Sequence, residues 1–309
     1  MSPFFSVCMP LHNRADTIER ALESLAKQTF RDFQVMIVDC GSTDDTRERV
    51  VSFFENDTYR HAPFPYRFET QSYIPKGTED WNEPVRLATG TYIAILEGDD
   101  YFLRGHLARA YEILSRESGI GIYATGNQRT KRDRSGRIPA TEHLRKMYRL
   151  DPVPPPSETI FRRFDQKGKP FLYDDNYAYA PEIDLYIRID LAGFDAYYDV
   201  TQNVWRRIIP KRKAAWRYFA DHYRIGEVYA RASGITVSDR LVSRSIARKR
   251  AYSAYGRYCG SEFDDDCAQL RTELFKRDSW RFYLYFAVVQ ARARFYALSQ
   301  SLRTISARS

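Results

Sequence analysis

Two periods of hydrophobic and polar residues alternate along the first 125 or so positions. Phe5-Ser-Val-Cys-Met9, Phe33-Gln-Val-Met-Ile-Val38 and Thr91-Tyr-Ile-Ala-Ile-Leu96 are short and nearly unbroken in apolar character, the pattern of strands buried on both faces. Tyr66-Arg-Phe-Glu69 is a weaker strand, and Gly119-Ile-Gly-Ile-Tyr123 reads as another. Between them the period lengthens. Ile18, Ala21, Leu22 and Leu25 recur at helical spacing behind Asp16-Thr-Ile-Glu19, which predicts a capping box, and helices are expected over about 44–55, 78–87 and 105–117. Such alternation predicts an α/β fold: a mainly parallel, doubly wound sheet with helices on both faces. Lys131-Arg-Asp-Arg-Ser-Gly-Arg137 reads as a charged hairpin turn and Asp151-Pro-Val-Pro-Pro-Pro-Ser157 as stiff, extended punctuation. Beyond 211 the pattern is helical and free of repeats.

Each buried strand ends in a polar loop. The first runs into Pro10-Leu-His-Asn-Arg14, the second stops at Asp39 before Cys40-Gly-Ser-Thr-Asp-Asp-Thr46, and the strand at 91–96 delivers Glu97, Asp99 and Asp100. In a parallel sheet these loops share one edge, where ligands bind in the crevice beyond the strands' carboxyl ends. Three neighbouring carboxylates are tolerable only if water, partners or a cation offset their repulsion. Hard oxygen ligands in a short turn suit Mg2+ or Mn2+, which also take phosphate oxygens, so the matching ligand is a nucleotide diphosphate. An ordinary turn or helix cap is the alternative reading of Asp99-Asp100.

P-L-H-N-R-A-D-T-I-E-R-A-L-E-S-L at 10–25, I-V-D-C-G-S-T-D-D-T at 37–46 and A-T-G-T-Y-I-A-I-L-E-G-D-D at 88–100 resemble, in order and spacing, the inverting family 2 glycosyltransferases of the GT-A fold. The resemblance covers residues 4 to about 125 well and 126–207 more weakly. It implies a GT-A domain over 1–210, with a nucleotide-sugar half to about 125 and an acceptor half over 126–210, followed by a helical extension over 211–309. By the same resemblance Asp99 is the foremost metal ligand, with Glu97 reaching the ion through water or the ribose, and Asp100 next. Asp39 and His12 would hold the nucleotide base, with Pro10, Asn13 and Arg14 shaping the loop and Asn82 near the pyrophosphate. Relatives often carry a second Asp where this chain has Cys40, which leaves the identity of the nucleotide open. Pro181-Glu-Ile-Asp-Leu-Tyr-Ile-Arg188 resembles the family's acid segment at a helix start and sets Glu182 at the catalytic base, with Asp184 as its rival and Asp174 and Asp175 behind. The implied reaction is single-sugar transfer, with Mn2+ or Mg2+, from a nucleotide-diphosphate sugar to a hydroxyl on a surface glycan or lipid-linked acceptor.

Charge alters this picture only at the tail. The excess of 48 Lys and Arg over 40 Asp and Glu is +8, and 14 basic against 6 acidic residues from Arg240 onward account for all of it. A basic, aromatic tail containing Trp280-Arg-Phe-Tyr-Leu-Tyr-Phe-Ala-Val-Val289 is too short and too charged to span a bilayer. It suits either peripheral docking on an anionic membrane or a solvated helix packed on the catalytic domain, and no nucleic-acid partner is expected. Cys8, Cys40, Cys259 and Cys267 form no zinc spacing and no disulfide framework. Entry into a strand by residue 5 predicts a cytoplasmic protein without a signal peptide. A nucleotidyltransferase is disfavoured because 10–16 contain no glycine, and Gln202-Asn-Val-Trp-Arg206 reverses the Trp and Arg of the processive synthases. A catalytically silent nucleotide-sugar-binding module is the competing reading.

Overall fold

The computed structural model describes residues 2–72, 78–127, 134–149, 153–207, 215–232, 234–236 and 238–240. The basic tail with its membrane contact, and positions 131–133 of the charged turn, lie outside these residues. Contacts divide the chain into one unit of Met1–Ile208 with Arg231–Ile235 and another of Ile209–Ala230 with Thr236–Ser309.

The first unit is built on a nine-stranded sheet. β1 (Phe5–Leu11) lies at the centre of a parallel block, flanked by β2 (Phe33–Cys40) and β4 (Tyr92–Ile95), with β3 (Tyr66–Gln71) outside β2. Helices α1 (Ile18–Ala26), α2 (Thr46–Glu55), α3 (Asp57–His61) and α4 (Glu79–Leu87) connect these strands. β1 is buried along nearly its whole length because helices cover both faces of it: Phe5, Val7, Met9 and Leu11 pack with Ile18, Leu22 and Leu25 of α1. Gly90 admits β1 to β4 at close range, since a Cβ there would stand 2.7 Å from the Phe5 carbonyl carbon and the Ser6 nitrogen.

Past β4 the sheet stops being parallel. After β5 (Tyr101–Phe102), α5 (His106–Leu114), β6 (Ile120–Asn127), β7 (Gly136–Ile138) and α6 (Ala140–Arg149) comes β8 (Thr159–Arg162), which inserts antiparallel between β4 and β6. α7 (Pro181–Leu191) leads to β9 (Asp195–Trp205), which runs parallel to β6 and carries β5 and β7 on its other side, both antiparallel. The sheet is thus parallel from β3 to β4 and mixed from β8 to β5. β7 pairs with β9 rather than with β6, so β9 lies between the two. The expected capping box at Asp16 does not form: Thr17 is the N-cap and its hydroxyl donates back to the Arg14 carbonyl rather than capping the helix, while Asp16 accepts from Arg207 Nη1 at 3.0 Å and Glu19 pairs with Arg49. In the second unit α8 spans Ala215–Val228.

Candidate active site

The loops after β1 and β2 are tied to each other by their backbones. His12 donates from Nδ1 to the Cys40 carbonyl at 2.9 Å, a partner that fixes the tautomer, and Nε2 lies 3.3 Å from the Asn13 amide. Asn13 has φ 51°, a left-handed conformation that Asn tolerates better than most residues. Its N–H donates to Ser42 Oγ and its Oδ1 accepts from the Thr43 N–H at 2.8 Å. Arg14 donates from its N–H to Thr46 Oγ1 at 2.7 Å, and its guanidinium bonds the His12 and Asn13 carbonyls before reaching to within 3.7 Å of Asp99. Pro10, half-buried in β1 opposite Val38, leads into this loop.

Asp39 stands opposite Leu11 and Thr70, at the carboxyl end of the parallel block. It is wholly buried. Oδ2 accepts from Arg47 Nε at 2.5 Å and from the Ser42 N–H at 3.2 Å, whereas Oδ1 has no hydrogen-bond partner. A buried polar oxygen left without a donor is unfavourable, so Asp39 keeps an acceptor to offer.

On the other side of β1, the turn after β4 closes through the Asp100 N–H to the Glu97 carbonyl. Glu97 takes its support from a residue 60 positions onward: its N–H donates to Ser157 Oγ at 3.2 Å, and that hydroxyl lies 3.3 Å from Glu97 Oε2. Burial, followed by the charge of Asp100, pushes the Glu97 carboxyl up to about 7 against the opposing pull of Arg206 and Arg14. Burial also raises Asp100. Asp100 is held from β9, accepting from the Arg207 N–H at 2.8 Å, with Arg206 Nε 3.5 Å from its second oxygen; Arg206 Nη1 in turn lies 3.6 Å from the buried Glu158. Among the described residues no three His, Cys, Asp or Glu side chains converge to hold a metal. The expected set of Asp99, Glu97 and Asp100 is therefore not assembled as a cage, because Asp100 turns toward the two arginines. What remains, Asp99 beside Arg14 with Glu97 behind it, suits an ion that arrives with a diphosphate and takes one or two carboxylates from the protein.

α7 brings two acids to its first turn. Asp184 is buried and accepts from Arg188 Nε at 2.7 Å, one helical turn on, while Arg188 also caps the Leu172 carbonyl. That ion pair braces the first turn of the helix. Glu182 is half-buried, and with Glu97 it adds to the upward push on the buried phenol of Tyr173, after burial itself and Tyr186. Tyr173 is thus the side chain that the α7 acid and the β4 acid share. Asn82 is tied to Tyr173 at both ends of its amide, Nδ2 donating to the carbonyl at 2.9 Å and Oδ1 accepting the N–H at 2.8 Å. Asp174 and Asp175 are structural as well, accepting from Asn176 and Thr78. Sequence reasoning missed Ser157, Glu158, Arg206 and Arg47. Arg206, at the end of β9, was visible only as half of a scrambled motif, and Ser157 carried no local signal.

No helix of the described residues is long and apolar enough to cross a membrane. The model of glycosyl transferase family 2 matches residues 6–168, more than half of the chain. The GalNAc(5)-diNAcBac-PP-undecaprenol beta-1,3-glucosyltransferase of Campylobacter jejuni is 32% identical over 106 residues, 34% of this chain and 33% of that protein. An uncharacterized glycosyltransferase of Mycoplasma genitalium is 30% identical over 127 residues, 38% of this chain and 39% of that protein. The similarity thus spans about two-fifths or less of these curated relatives. Among solved structures, TarS 1-349 of S. aureus in complex with UDP-GlcNAc superposes with a TM-score of 0.66 at 15% identity, covering 98% of this chain and 92% of that one. The mannosyltransferase PcManGT from Pyrobaculum calidifontis, in complex with GDP-Man and Mn2+, gives 0.58 at 18% identity over 96% and 87%. At those identities the superpositions speak to the fold alone, which is of the GT-A type. With the strand-end loops and acid turn in the arrangement described, and with the family match running from β1 past β8, the chain belongs to glycosyl transferase family 2.

Proposed function

We propose that this chain is a metal-dependent inverting glycosyltransferase that moves one sugar from a nucleotide-diphosphate sugar to a hydroxyl of a surface glycan or lipid-linked acceptor. The observation that carries the reading is the buried Asp39 with its unpartnered Oδ1, set across β1 from the turn of Glu97, Asp99 and Asp100. A base N–H satisfies that oxygen, and His12, anchored through Nδ1, offers its ring beside it, with Pro10, Asn13 and Arg14 shaping the rim. Asp99 and Glu97 would hold Mn2+ or Mg2+, which when bound neutralises the charge of the departing diphosphate. Glu182, in the first turn of α7, takes the proton of the attacking hydroxyl.

The relatives supply the acceptor class: the Campylobacter jejuni enzyme is named for an undecaprenol-linked glycan. The two structural neighbours hold nucleotides of different base, so they leave the base unspecified. The GT-A domain over 1–210, the separate extension over 211–309 and a cytoplasmic position against an anionic membrane belong to the same proposal, the last supported by the 14 basic and 6 acidic residues from Arg240 onward.

Release of nucleoside diphosphate from a panel of nucleotide sugars, with lipid-linked acceptor and Mn2+ or Mg2+, tests the reading. Glu182→Gln is expected to lower turnover by about 10²-fold or more while donor affinity stays unchanged. Turnover at the wild-type rate in that variant removes Glu182 from the role, and failure of the wild type to bind any nucleoside diphosphate overturns the proposal.

A further inference from the structure

Leu172 and Tyr173 are held between α4, α7 and the middle of the sheet. Arg188 of α7 donates to the Leu172 carbonyl at 2.5 Å and pairs with Asp184, two residues past Glu182. The Tyr173 ring stands edge-on to Trp81 of α4 at 5.4 Å and to Phe161 of β8 at 6.2 Å, and Phe161 lies opposite Ile93 of β4, four residues before Glu97. Packed in this way the residue is 4% exposed. Its hydroxyl forms no hydrogen bond with a described residue, yet the oxygen is not sealed from solvent. Other buried phenols are engaged: Tyr92 donates to the Ile120 carbonyl, Tyr123 to Asp199, and the Tyr186 hydroxyl bonds the Pro154 carbonyl and Thr159 Oγ1. A phenol fixed by its ring with its donor unused is available to a ligand.

The place of that donor indicates what the ligand is. Burial, then Tyr186, Glu182 and Glu97, hold the phenol well above its ordinary 10, so the proton stays on the oxygen and can be shared. In an inverting transfer the base and the departing diphosphate stand on opposite sides of the anomeric carbon. With Glu182 as the base and the turn of Glu97 and Asp99 at the diphosphate, the sugar fills the space between them, and Tyr173 is within electrostatic reach of both acids. We propose that the Tyr173 hydroxyl donates a hydrogen bond to a hydroxyl of the sugar being transferred, so that Tyr173 reads the sugar while the loops after β1 and β2 read the nucleotide. A sugar whose hydroxyl is missing or inverted at that point leaves the phenol unpaired, the situation in which a polar pocket rejects a wrong ligand most strongly.

This inference rests on the proposed transfer reaction, and the test separates the two. Binding of UDP, GDP, UDP-glucose, UDP-galactose, UDP-GlcNAc and GDP-mannose to the full chain is measured by calorimetry with Mg2+, together with Tm, for wild type, Tyr173→Phe and Tyr186→Phe. Since the Tyr173 hydroxyl bonds no described residue, Tyr173→Phe should leave Tm unchanged. For the nucleotide sugar that the wild type binds most tightly, this variant should weaken binding by about three- to tenfold while the matching nucleoside diphosphate binds as before. Tyr186→Phe takes a bonded hydroxyl out of the core and should lower Tm without altering the ratio of the two affinities. A ratio unchanged in Tyr173→Phe, an equal fall for nucleotide sugar and diphosphate, or the same change of ratio in Tyr186→Phe overturns the inference and leaves the glycosyltransferase reading standing. Absence of binding by every nucleoside diphosphate and nucleotide sugar sinks both.

Discussion

Replacing Glu97 with Gln is expected to stabilise the metal-free protein at alkaline pH and to leave it little changed in mild acid. The folded environment moves this carboxyl from its ordinary 4.5 to about 7, through burial first and then through Asp100, with Asp99 adding and Arg206 and Arg14 opposing. A folded value above the unfolded one means that the native state binds the proton more tightly. The associated stability is present below about pH 4.5 and is lost as pH rises through 7. At ~1.4 kcal/mol per pH unit the ceiling is ~3 kcal/mol, and partial solvent access with titration shared by Asp100 brings the expectation nearer ~2 kcal/mol. Glutamine keeps the length of the side chain and an acceptor for the Ser157 hydroxyl, so the difference reads charge. Urea denaturation in EDTA at pH 5 and pH 8.5 measures it. The variant should exceed wild type by about 2 kcal/mol at the higher pH and by less than about 1 kcal/mol at the lower. Identical curves at pH 8.5, or a less stable variant, would refute the claim that this turn stores unfavourable charge. Mn2+ should close the gap by stabilising the ionised wild type.

Two further outcomes test the frame around the site. Asn82→Ala strips both partners from the Tyr173 backbone and should lower stability by about 2–3 kcal/mol with donor affinity unchanged in the folded protein; weaker donor binding at an unchanged Tm would return Asn82 to the pocket. Gly90→Ala forces a Cβ against the Phe5–Ser6 backbone and should lower Tm in a thermal scan by the equivalent of about 2 kcal/mol or more, whereas an unaltered Tm would contradict the close approach of β1 and β4.

β1, β2 and β4 were legible because they are buried on both faces, so their apolar runs stand out, and because turn formers end each of them abruptly. Asp39, His12 and the acid turn follow from that punctuation. Strands β8 and β9 stood out less. β8 is four residues long behind a run of prolines, and β9 carries Asp195, Asp199, Gln202 and Asn203 within its strand, so neither shows a clean period. Asp199 is tolerated there because Thr201, two residues on, and Arg109, Ser135 and Tyr123 from distant positions surround it. Asn82 bonds a backbone 91 residues away and Asp184 bonds the arginine four residues on, so each has the chemistry of a ligand-binding group and a structural occupation that only coordinates reveal.

β8 runs against both β4 and β6, and in doing so it splices the two halves into a single hydrogen-bonded ladder. A fragment cut near residue 125 would strip Ile93 and Ala94 of their neighbours Phe161 and Ile160 and present a raw margin on which a stray chain could add. Shortened versions made for crystallisation must therefore reach past Trp205, the last residue of β9. Engineers seeking new acceptors would do better to graft loops onto the intact frame than to exchange a detachable cassette.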